Sequence, residues 1–64
     1  MFCIDDNEFE TIADVIDYIE RRYDYDVKDA SWWEAGKEEF LATDDADEFV
    51  SWLDDCGYSV EYYG

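Results

Sequence analysis

Glu10, Asp14, Asp17, Arg21 and Asp24 recur at steps of four, three, four and three, the spacing of one face of a helix. Four of the five are carboxylates. Acids at this density could do acid–base chemistry, hold a hard cation, or present fixed negative charge. The first is poorly served. The chain has no His, so the usual proton shuttle near neutral pH is missing. Ser31, Ser51 and Ser59 have no evident activating base. An acid pair such as Glu38-Glu39 could in principle cleave a glycosidic bond, but 64 residues leave little room for a cleft that tunes a carboxyl. The residues therefore predict no enzyme and no catalytic side chain.

Metal chemistry is equally thin. Two cysteines, Cys3 and Cys56, fall short of the four ligands a structural zinc needs. A calcium loop wants a Gly at its sixth position, which Asp24-Tyr25-Asp26-Val27-Lys28-Asp29 lacks. No metal site and no cofactor are expected. The two thiols read as buried, reduced side chains, with a bridge open only if their elements are neighbours.

Fixed charge is what remains. Twenty acids against four bases give a net charge of −16. Such self-repulsion destabilises a compact state and disfavours anionic partners, whether bare nucleic acid or a membrane surface. A strongly basic protein surface is the natural counterpart. B-DNA carries one negative charge per about 1.7 Å of axis, and acids on rigid helices could copy that density. The candidates fall in groups: Glu10, Asp14, Asp17 and Asp24; Asp44, Asp45, Asp47 and Glu48; Asp54 and Asp55. Asp26, Glu38, Glu39 and Glu61 could extend the field. Thirteen aromatic residues exceed what so small a core hides comfortably. One member of Trp32-Trp33 and one of Tyr62-Tyr63 should be exposed, and Trp33 and Tyr62 are the expected interface anchors.

Two helices must position these groups. Phe9, Ile12, Ile16, Ile19 and Tyr23 form the apolar stripe of the first, over Asn7–Tyr23, with Asn7 and Glu10 as a capping box and Arg21 and Arg22 at its negative end. Ala46, Phe49, Val50, Leu53 and Cys56 form the stripe of the second, capped by Thr43 or Asp44 and stopped by Gly57. Asp54 and Asp55 sit at the end where acids are unfavourable. Met1–Ile4, Tyr23–Val27 and Tyr58–Tyr63 read as strands. Residues 32–42 read as a hairpin turning at Gly36, because the competing helix from Ser31 to Ala42 would carry a mid-helix Gly at about 1 kcal/mol. The predicted class is α+β, a small antiparallel-rich sheet with two amphipathic helices on one face, in the β-α-β-β-α-β order of a miniature ferredoxin-like fold.

A chain of this length makes one domain, here residues 1–64, with a marginal core. It begins with Met and shows no apolar leader, so it reads as a complete small cytosolic protein. No apolar run approaches the roughly 18 residues of a membrane span.

In length, acidity and aromatic content the chain resembles the small acidic proteins with which phages disarm bacterial defence, DNA mimics among them. It is similar to the type I anti-CRISPR inhibitors, with a type I-C complex as the expected target. The resemblance covers the whole chain in composition and rests on no shared motif, so it carries over no binding residue. It implies a protein of the host bacterial cytoplasm that blocks target capture. The implied partner is the basic DNA- and PAM-binding site of a CRISPR surveillance complex, on its PAM-reading large subunit, met by a monomer with no direct contact to nucleic acid or membrane. Two alternatives stand beside it. One is an acidic chaperone or regulator of basic nucleic-acid-binding proteins. The other is an acidic structural protein of the halophile type.

Overall fold

Ile4 and Asn7 face each other across a two-residue turn, Asp5-Asp6, whose φ angles are 50° and 67°. Positive φ at both positions is what a type I′ hairpin requires. The computed structural model, which describes residues 1–63, therefore opens with a β-hairpin, β1 (Phe2–Ile4) and β2 (Asn7–Phe9). Asp5-Asp6 joins the expected first strand to a second one. Asn7 and Phe9 lie in β2, not on a helix. The first helix, α1 (Ile12–Arg22), starts later, and Thr11 caps it by accepting from the Asp14 N–H at 3.1 Å. Ile12, Val15, Ile16 and Ile19 are its buried stripe, and Arg21 and Arg22 sit in its last turn as expected.

Tyr23–Val27 is not a strand. A strand would place Tyr23, Tyr25 and Val27 on one face, yet Tyr25 is 82% exposed while Val27 is buried. Asp24–Val27 forms the single turn α2. The expected hairpin at Gly36 is also absent. Ser31–Thr43 is one continuous helix, α3, burying Trp33 and Phe40. Gly36 faces the ring of Trp52 so closely that a Cβ there would come within 2.6 Å of Trp52 Cε2. The glycine makes room for an indole and does not turn the chain.

Asp44, φ 55°, ends α3 in the left-handed conformation, and Asp45, not Thr43 or Asp44, caps α4 (Ala46–Asp55) through the Glu48 N–H at 3.2 Å. With two residues between the helices, one must stop the first and the other start the second. At the far end Gly57, φ 98°, donates to Asp54 O at 3.0 Å and Tyr58 donates to Leu53 O at 2.9 Å. This is a Schellman stop, as the glycine predicted. The chain closes with β3 (Val60–Tyr62).

The sheet order is β2-β1-β3, antiparallel throughout. Phe2, Ile4 and Val60 share its inner face. Phe2 meets Phe49 of α4 edge to face at 5.7 Å. Cys3, Glu8 and Glu61 share the outer face. The α+β class holds, but among the described residues the order is β-β-α-α-α-α-β, with four helices, so the ferredoxin-like order does not apply. Among the described residues twelve apolar side chains form the core, and no charged or polar residue is buried with them. No helix among the described residues is long and apolar enough to cross a membrane.

Candidate functional site

Of the twenty acids only Glu20 is other than exposed. It is half-covered because α1 and α3 pack there. Trp33 Nε1 donates to its Oε2 at 2.9 Å and Lys37 Nζ at 2.7 Å, and Lys37 also reaches Glu34 at 3.1 Å. Lys37, then Trp33, holds the Glu20 carboxyl below its ordinary range against the cost of burial, and the two acids push the Lys37 ammonium up. Arg21 pairs with Asp17 at 3.0 Å, and Arg22 lies over the Tyr23 ring at 5.6 Å. Three of the four cations thus serve the scaffold, and most acids have no partner ion among the described residues.

Asp45, Glu48, Trp52 and Asp55 step by three, four and three along α4. They form one wall of a groove of about 390 Å³. Glu39, Phe40 and Thr43 of α3 form the other. Its floor is aromatic: Trp52 stacks on Trp33 at 5.2 Å with 19° between planes, and lies 5.2 Å from Phe40. Four carboxylates therefore surround a half-buried indole.

Four of the candidate acids, Glu39, Asp45, Glu48 and Asp55, line this groove. Asp44, Asp47 and Asp54 are exposed but outside the groove lining. Asp14 and Asp17 are exposed on α1, with Asp17 engaged by Arg21. Glu10 precedes that helix and Asp24 belongs to α2, so neither extends the α1 row. Trp33 is no surface anchor: at 1% exposure it is core, and its neighbour Trp32, at 46%, is the accessible one. In a helix the two rings differ by about 100° of rotation, and the inward place fell to the second. Tyr62 is exposed on one side while packing on Phe2 at 4.8 Å. Cys3 and Cys56 are free and half-buried. Trp52, absent from the predicted sites, was signalled by its place in the Asp45–Glu48–Asp55 stepping. Among the described residues no three acid or thiol groups gather to hold a metal ion.

No family model matches the chain, and neither a curated protein nor a solved structure matches it.

Proposed function

We propose that the protein is a charge-mimicking inhibitor that occupies the basic DNA- and PAM-binding site of a type I CRISPR surveillance complex, type I-C in the first instance. It acts in the host bacterial cytoplasm. The observation that carries this reading is the α3–α4 groove, where Glu39, Asp45, Glu48 and Asp55 frame Trp52. Lys and Arg side chains that normally grip phosphates find carboxylates there, and the indole adds a short-range apolar contact.

Two further features support it. The long axis measures 31 Å; a duplex of that length carries about 18 phosphate charges at one per roughly 1.7 Å, against 16 net here. The non-glycine residues with positive φ among those described are Asp5, Asp6, Asp29 and Asp44. Gly would fit these positions with less strain. Keeping the acid at Asp6, Asp29 and Asp44 retains charge at the expense of stability, whereas Asp5 also accepts from Tyr18 and Tyr23.

Competition with duplex DNA for a purified type I complex tests the reading. The triple variant D45N/E48Q/D55N should lose at least about tenfold in potency, since each exposed charge contact is worth on the order of 0.5 kcal/mol. It should still fold, because Asn caps a helix as well as Asp does. Undiminished inhibition by this variant would move the site elsewhere, with Asp14 and Asp17 the next pair to change to Asn. Equal binding to many unrelated basic proteins would favour the chaperone alternative.

A further inference from the structure

A second cleft, of about 560 Å³, opens on another part of the surface, between the β1–β2 turn, α2, the start of α3 and the α4–β3 turn. It differs in kind from the acidic groove. Three rings line it, Tyr23, Trp32 and Tyr58, together with the carboxylates of Asp5 and Asp26. Tyr23 and Tyr58 meet at 4.9 Å with 52° between their planes, so they form a bent wall and not a stack. Trp32 is 46% exposed. The Tyr18 and Tyr23 hydroxyls both donate to Oδ2 of Asp5, which fixes that carboxylate at the rim and leaves Oδ1 to accept from another donor.

We infer that this cleft takes the guanidinium of an arginine side chain presented by a basic partner protein. Aromatic faces attract cations through their quadrupole, and Trp attracts them best. A guanidinium is planar, so it can lie against a ring while its edge donates to a carboxylate such as Asp5 or Asp26. An anion is excluded by the two acids, and a neutral apolar group would leave both carboxylates unanswered. Cys56 also lines the cleft, but burial raises its thiol pKa and the neighbouring Asp55 raises it further, so thiolate chemistry does not compete. The inference rests on the reading above only in taking the partner to be a basic protein.

The experiment needs no target complex. The intact chain, labelled with 15N, is titrated with N-acetyl-argininamide at low salt, with the citrulline analogue as the neutral isostere. The expected result is saturable movement of the Trp32 indole signal and of the Tyr23 and Tyr58 signals, larger than that of the Trp33 and Trp52 indoles, whose rings meet Trp32 at 6.0 and 6.1 Å. W32A, which removes an exposed ring, should weaken binding about fivefold, and D26N about twofold, the scale of an exposed cation–π contact and a surface charge. E39Q, in the other groove, should leave it unchanged. Equal shifts with citrulline, shifts spread evenly over all three indoles, or undiminished binding by a folded W32A would each overturn the inference. Intact competition with DNA alongside an empty cleft would reject this site alone. Arginine capture without competition would reject the inhibitor reading and leave the cleft.

Discussion

Gly36 sits in mid-helix with the Trp52 indole against it, and two opposed effects meet at this one position. Replacing it by Ala gains up to about 1 kcal/mol of helix propensity, but overpacking a fitted ring costs about 1–3 kcal/mol. Overpacking should win, because Trp52 is hemmed in by Trp33, Phe40 and Phe49. G36A should therefore lower the urea midpoint; a raised midpoint would show that the ring can move aside. The Tyr23–Asp5 bond allows a sharper test. Its two donors, Tyr23 first and Tyr18 second, hold the Asp5 carboxyl below its ordinary 3.8. The same bond pushes the Tyr23 hydroxyl up to about 12. A lowered acid contributes stability that is complete above its ordinary value and lost as pH falls through the lowered one. A raised phenol contributes below its ordinary 10.0 and loses that contribution as pH rises through about 12. Y23F should cost under about 1 kcal/mol at this exposed site. That difference should stay flat between about pH 5 and pH 9 and shrink as pH falls below the ordinary 3.8 of the Asp5 carboxyl. Urea titrations of both proteins across that range would show it, and a difference that persisted in acid would mean the hydroxyl matters for packing alone.

Among the elements, α1 and α4 were legible because each buries a stripe at helical spacing, Ile12–Ile16–Ile19 in one and Phe49–Leu53 in the other. The helix α3 was not. It buries only Trp33 and Phe40 over thirteen residues, and the positions between them on that face are Gly36 and Lys37. Gly36 belongs there because of Trp52, and Lys37 because of Glu20, and both partners lie on other elements. A local pattern cannot carry that information. The hairpin at Asp5-Asp6 was hidden because type I′ turns favour Gly at the second central position, and this chain has Asp6 there. The acidic side of the groove could be read as Asp45, Glu48 and Asp55, but its α3 wall could not be, since Glu39 was expected on a strand. The junction of α3 and α4 then yields its own prediction. Asp44 holds φ 55° as the α3 C-cap, where an L-residue costs about 1 kcal/mol relative to Gly. D44G should raise stability by about that amount, since it also removes a like charge next to Asp45. It should leave competition with DNA nearly unchanged, because Asp44 does not line the groove. A D44G that gained stability and lost inhibition would make this residue part of the contact after all.

At the scale of the whole molecule, one electrostatic field has two consequences of opposite sign. Within the chain a net charge of −16 is spread over a body 31 × 25 × 18 Å. Acids three or four residues apart on its helices lie about 5–6 Å from each other, within the roughly 10 Å Debye length of 0.1 M salt and beyond the 3 Å of 1 M. Raising salt should screen this repulsion and stabilise the fold. Between the chain and a basic partner the same screening removes attraction. Association should slow and the complex should weaken as salt rises, mostly through the on-rate for charges at the rim. Measured on one protein between about 50 and 500 mM NaCl, the urea midpoint should climb while affinity for the surveillance complex falls. The two slopes separate the readings that composition alone leaves together. A halophile-type structural protein predicts the first slope, steep enough that the chain unfolds in dilute buffer, and no second slope. A binder held by apolar anchors predicts affinity that is flat in salt. Charge mimicry requires a chain that folds at low salt and binds best there, at the very condition where its own carboxylates repel one another most.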